Sequence, residues 1–188
     1  ERLHMPTARR DGYVNLGGDI AMVGTDGHKY SGTFDGQGYT LKLNWDSGSN
    51  GYIAPFCVVE GATIKNLRTE GQITSNEKLL SGLVGNVYGT TTISGCVSAV
   101  NITSSYASDR CGAGGLISYI YTNTQVTITD CLVKGNINAK EAGRKGMGGF
   151  VYGQNGTCTL TNCLYIGKNN ATTGSNTFAD NATHNNCD

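Results

Sequence analysis

The residues of this chain with chemistry to offer are seven cysteines, three histidines, ten tyrosines and fourteen carboxylates. Catalysis needs some of them grouped. His4, His28 and His184 fall in the entry region or the ends, with no pattern linking them. Ser81-Gly82 and Ser94-Gly95-Cys96 lack the strand, elbow and helix that expose a nucleophile. Glu60, Glu70, Asp109, Asp130 and Glu141 are scattered rather than paired, and Arg144-Lys145 beside Glu141 reads as a solvated corner. No C-x-x-C pair exists, and the nearest cysteine spacing, Cys158 to Cys163, has no histidine partners, so no metal site is predicted. Asp35-Gly36-Gln37-Gly38 is turn chemistry with no helix behind it, not a phosphate loop. The Gly-Gly-x-Gly-x-Asp calcium repeat is absent. The sequence therefore predicts no catalytic residue and no cofactor. Four Asn-x-Thr acceptor patterns, at Asn101, Asn155, Asn170 and Asn181, are what chance supplies in so Asn- and Thr-rich a chain.

Composition narrows the partners. Fourteen Lys and Arg balance fourteen Asp and Glu, and charged residues are only 15% of 188. That removes the electrostatic case for nucleic acid or an anionic membrane surface. No apolar run is long enough to cross a bilayer as a helix. Glycine, at 28 residues, is abundant without a G-X-Y period, so a collagen is excluded.

The elements that would position these side chains come from an internal repeat. Gly51-Tyr52-Ile53-Ala54, Ser81-Gly82-Leu83-Val84, Gly114-Gly115-Leu116-Ile117 and Gly148-Gly149-Phe150-Val151 each open a segment. Each is followed by a second shared pattern, centred on Ile64, Ile93, Ile128 and Leu160, which step by 29, 35 and 32 residues. Within a copy the period is two: Cys131 and Val133 share one face, Leu132 and Lys134 the other. Short strands repeating every thirty-odd residues, without helical periodicity, predict a solenoid in which each copy is one coil. The expected fold is all-β: a single-stranded parallel β-helix of about four to five coils, with like residues stacked ~4.8 Å apart. Coils are expected near 33–50, 51–80, 81–113, 114–147 and 148–171 of a repeat domain spanning 12–171. Residues 1–11 read as a solvated lead-in and 172–188 as a C-terminal cap or tail. A start at Glu1 with no apolar leader predicts a piece processed or excised from something longer.

The repeat then places the reactive groups. Cys96, Cys131 and Cys163 fall on one inward rung with Leu67 beneath them. Cys57 aligns with inward Val87 and Ile120, and Cys158 with Val126. These five read as small core residues. Cys111 and Cys187 lie off the ladder and are the better candidates for a disulfide. Asp130 shares a slot with Asn66 and Asn162, which predicts a corner ladder of turn-capping side chains. Tyr88 and Tyr121 align and point outward on adjacent coils; Tyr119 aligns with Asn86 and Phe56 beside them. Stacked exposed tyrosines are a candidate surface for sugar rings or a protein partner. Thr63, Thr92, Thr127 and Thr159 form a second outward row, of the kind ice-binding solenoids carry.

Gly82-Leu83-Val84-Gly85, with Thr33-Phe34-Asp35-Gly36-Gln37-Gly38-Tyr39-Thr40-Leu41, resembles the GLUG-type repeat domain. The likeness covers about residues 12 to 169, and only the second copy holds the full Gly-Leu-Val-Gly. The resemblance implies a right-handed parallel β-helix in a secreted or cell-surface bacterial protein, in adhesin-like proteins or the non-catalytic regions of surface peptidases. It brings no catalytic motif. The expectation is a non-catalytic module that binds a glycan or a host or matrix surface protein, or acts as a spacer. The alternatives are a carbohydrate-active lyase or hydrolase on the same scaffold and an ice-binding face. A solenoid cut from a longer array would also expose strand edges and associate end to end.

Overall fold

The computed structural model describes residues 13–46, 52–76, 79–105, 112–139, 147–170, 175–176 and 182–188. Among them there is no helix, and every strand pairing is parallel. The chain winds as a β-solenoid of about four turns with four sheets around its axis.

One sheet holds Thr33–Asp35, Thr63–Lys65, Thr90–Ser94, Gln125–Thr129, Thr157–Thr161 and Thr183–Asn185. Its register is the one the repeat predicts: Ile64, Ile93, Ile128 and Leu160 lie partner to partner, all with no exposed surface. Two further rungs extend the row, Phe34 below and His184 above. Residues 182–188, read as cap or tail, thus add a partial coil in register with the last repeat. The next sheet is built on Tyr13–Gly17, Thr40–Asp46, Arg68–Ser75, Val97–Ser104, Leu132–Val133 and Leu164–Tyr165. The two remaining sheets hold Tyr52–Ile53, Leu79–Ser81, Gly112–Gly114, Met147–Gly148 and Ser175–Asn176, and Phe56–Glu60, Val84–Tyr88, Ile117–Ile120 and Val151–Gln154.

The corner between the first two sheets explains why the chain turns there. Asn66, Gly95, Asp130, Asn162 and Asn186 all have φ between 49° and 60°. Asn, Asp and Gly are the residues that tolerate this left-handed conformation. Their side chains also tie the coils: Asn162 Nδ2 donates to Asp130 Oδ1 at 3.1 Å and Asn186 Nδ2 to Asn162 Oδ1 at 2.8 Å. Asn66 Nδ2 donates to Asp35 Oδ1 at 3.1 Å. One residue later the chain points inward, at Leu67, Cys96, Cys131 and Cys163, all at most 2% exposed. The core is two stacked columns of aliphatic residues. Aromatics enter it mainly at the first coils, with Phe150 in a later one. Phe34 meets Phe56 edge-on at 5.2 Å, Tyr30 lies 5.6 Å from Phe56, and buried Trp45 donates its Nε1–H to Asp19 O at 3.0 Å.

The first copy departs from the sequence alignment by two residues. Val84, Ile117 and Val151 are partners as predicted, but the first-coil partner of Val84 is Phe56, not Ala54. Between the two strands the first coil is one residue shorter than the second: Ile53 pairs with Leu80 and Phe56 with Val84. Val59, not Cys57, therefore aligns with Val87 and Ile120, and Val58, not Phe56, aligns with Asn86 and Tyr119. Cys57 turns away from the main core.

Candidate functional site

The tyrosines meet at a corner built by the sheet of Phe56–Glu60, Val84–Tyr88, Ile117–Ile120 and Val151–Gln154. Tyr88 closes its strand, and Tyr121 follows the equivalent strand one coil on, so both point outward. Their rings stack at 4.3 Å with 13° between planes. Tyr119 meets Tyr121 in an edge-to-face pair at 4.9 Å, and Tyr152 lies 6.4 Å from Tyr119. The Asn155 amide donates to the Tyr119 hydroxyl. The sequence therefore locates Tyr88, Tyr119 and Tyr121 together.

It does not locate the groups the entry segment brings to them. Val23 N donates to Pro55 O, Cys57 N to Val23 O and Tyr30 N to Val58 O, which ties residues 23–30 alongside the first coil. Between those ties Thr25 and His28 close a tight loop through reciprocal backbone bonds. Lys29 Nζ then lies 4.9 Å from the Tyr88 ring centroid and 3.6 Å from Glu60 Oε2. Neither Asp26 nor Lys29 belongs to a repeat copy, so no register could predict them.

Between this loop and the first coils runs an open groove of about 510 Å³, floored by Ile20, Met22, Cys57 and Val58 and rimmed by Thr25, Asp26 and Tyr52. Tyr52 hydrogen-bonds Tyr121, which joins the groove to the tyrosine corner. Burial, then the Tyr88 hydroxyl, push the Tyr121 phenol up to about 12. Burial, with Asp26 adding to it, pushes the Cys57 thiol up to about 11, so it stays protonated and is no nucleophile at neutral pH. Its Sγ donates to Tyr52 O at 3.6 Å.

Asn86 adds a second polar element. It lies between Val58 and Tyr119 in the register and has no exposed surface. Neither its carboxamide nitrogen nor its oxygen has a hydrogen-bond partner. Burying such a group unpaired costs about 1–3 kcal/mol. The chemistry at hand is recognition: phenol hydroxyls, a carboxylate and an apolar floor. The ring faces are largely used within the protein, Tyr88 between Lys29 and Tyr121, so hydroxyls and ring edges are what a ligand meets.

The thiols form their own line. Leu67, Cys96, Cys131 and Cys163 stack as expected. Cys187, expected off the ladder, continues it: Asn185 partners Thr161, and Cys187 follows Asn185 as Cys163 follows Thr161. Each ladder thiol donates to the carbonyl two residues back, at 3.2 to 3.4 Å. The thiols on both sides raise the Cys131 pKa strongly, and Cys163 is lowered to about 7, chiefly by the Cys131 thiol. Cys187 is a free, half-buried thiol. Cys111, its proposed disulfide partner, lies outside the described residues, as does the cluster of Glu141, Arg144 and Lys145.

The class of protein that this geometry defines is a parallel β-solenoid with a tyrosine-lined corner. No family model, curated protein or solved structure was found that this chain matches.

Proposed function

We propose that this chain is a non-catalytic binding module of a secreted or cell-surface protein, and that its ligand is a carbohydrate taken at the tyrosine corner. The observation that carries the reading is the convergence of Tyr52, Tyr88, Tyr119, Tyr121 and Asp26 beside one apolar-floored groove. Sugars present apolar ring faces edged by hydroxyls. A groove with an apolar floor and a rim of one phenol, one hydroxyl and one carboxylate, with the tyrosine corner beside it, is complementary to both. The adhesin-like setting is the one that the GLUG-type resemblance implies. The test is a glycan array followed by titration of the best hit. The double variant Tyr88→Phe with Tyr121→Phe keeps both rings but removes two hydroxyls, and it is expected to weaken binding at least tenfold without loss of fold. Binding unchanged in that variant and in Tyr88→Ala with Tyr121→Ala would eliminate this corner.

One observation favours a second reading. Thr33, Thr63, Thr92, Thr127, Thr159 and Thr183 stand in register, one per coil. Thr129 and Thr161 complete two Thr-x-Thr rows beside them. Threonine at strand spacing presents methyl and hydroxyl groups in a lattice, as an ice-binding face requires. Thermal hysteresis above the buffer value would support it, and its absence would discard it.

A further inference from the structure

We propose that Cys163 and Cys187 form a two-sulfur site for a soft monovalent d10 ion of the copper(I) class, at the C-terminal mouth of the thiol ladder. Four observations lead there.

The two residues occupy equivalent positions on the last two coils, because Thr161 and Asn185 are partners in a parallel, in-register pair. Both thiols donate to the carbonyl two residues back, at 3.4 and 3.2 Å, so the two side chains point the same way. Thiols on the same rung of neighbouring strands lie side by side about 4.8 Å apart. A disulfide wants its Cβ atoms nearer, at about 3.8 Å. Two metal–sulfur bonds end to end, each comparable to the ~2.3 Å of a zinc thiolate, span about one strand spacing.

The donor set selects the ion. Among the described residues no group of three or more His, Cys, Asp or Glu can surround an ion, so tetrahedral zinc has too few ligands here. Two thiolates with low coordination suit copper(I), which sulfur donors favour over hard cations.

Access selects the pair. Cys96 and Cys131 are 1% and 2% exposed and lie between other rungs, whereas Cys187 is half-buried at the end of the column. Binding releases the two S–H protons to water and forms two sulfur–copper bonds, leaving one net negative charge. No oxidant or reductant enters the step when the ion is supplied as copper(I).

The test is an anaerobic titration of the fully reduced chain with copper(I) held by a chromogenic chelator. One equivalent is expected to move to the protein, with a near-ultraviolet sulfur-to-copper charge-transfer band and two sulfur neighbours by X-ray absorption. Cys187→Ser, at the half-buried end, is expected to keep the circular dichroism spectrum and thermal midpoint but to lose the transferred equivalent. Cys57→Ser and Cys111→Ser are expected to retain it. No transfer, retention of the equivalent in Cys187→Ser, or an ion bound by four ligands would overturn the proposal. If Cys163→Ser fails to fold, the Cys187→Ser result still decides.

Discussion

Gly71 is where close stacking of coils meets backbone strain, and substituting it tests both. Its φ is +111°, and a Cβ built there would lie 1.9 Å from the Leu43 carbonyl oxygen of the coil below. Gly17 offers the control: its φ is +55°, but a Cβ there meets nothing within 4 Å. Gly17→Ala isolates the left-handed penalty, about 1–2 kcal/mol. Gly71→Ala adds a contact that backbone atoms cannot yield without parting two strands of the sheet. Strain of about 1–3 kcal/mol for such a φ, plus the loss of one or two neighbouring inter-coil hydrogen bonds at about 1 kcal/mol each, gives about 2–5 kcal/mol. Urea unfolding followed by circular dichroism reads both differences at equal m-values. If Gly71→Ala cost no more than Gly17→Ala, the coils would not approach as described.

Three shorter predictions follow from other parts of the molecule. Asn86→Leu removes a buried carboxamide that has no partner and is expected to stabilise the chain by about 1–3 kcal/mol in urea; a destabilised variant would refute the unpaired state. A double-mutant cycle on Tyr88 and Tyr121, each to Ala, is expected to give a coupling of about 0.5–1.5 kcal/mol from their stack, and a coupling near zero would mean the rings do not stack. Asp35 is held below the usual carboxylate range, first by the backbone N–H of Gln37 and then by the Asn66 amide. Its contribution is therefore present above the unfolded value near 3.9 and lost as the pH falls through the lower folded one. Acid unfolding of Asp35→Asn should have a flatter limb below about pH 4, and an identical limb would contradict those bonds.

The sequence reveals the columns wherever a rung keeps its chemical type. Ile64, Ile93, Ile128 and Leu160 repeat visibly, and so do the outward tyrosines and the corner Asn and Asp. It conceals rungs where the type changes. Nothing in His184 announces that it continues an aliphatic row, and Cys187 looks stray because the last coil is short and polar. The first copy misleads because Pro55 holds the place of Leu83: a residue without an amide hydrogen gives no apolar match, and Ile53 draws the alignment two residues early. Cys57 was misplaced for that reason alone. The groove was illegible for a different one, since Asp26 and Lys29 reach the tyrosines through a single loop with no second copy to compare.

The stacking itself is most directly measured with pairs of spin labels on the threonine row. Thr33 paired in turn with Thr127, Thr159 and Thr183 through cysteine variants should give pulsed-resonance distances that grow by about 4.8 Å per coil, reaching ~24 Å for the last pair. Equal increments are the outcome expected of in-register parallel coils. Distances that scatter, or fail to grow from one pair to the next, would contradict the solenoid.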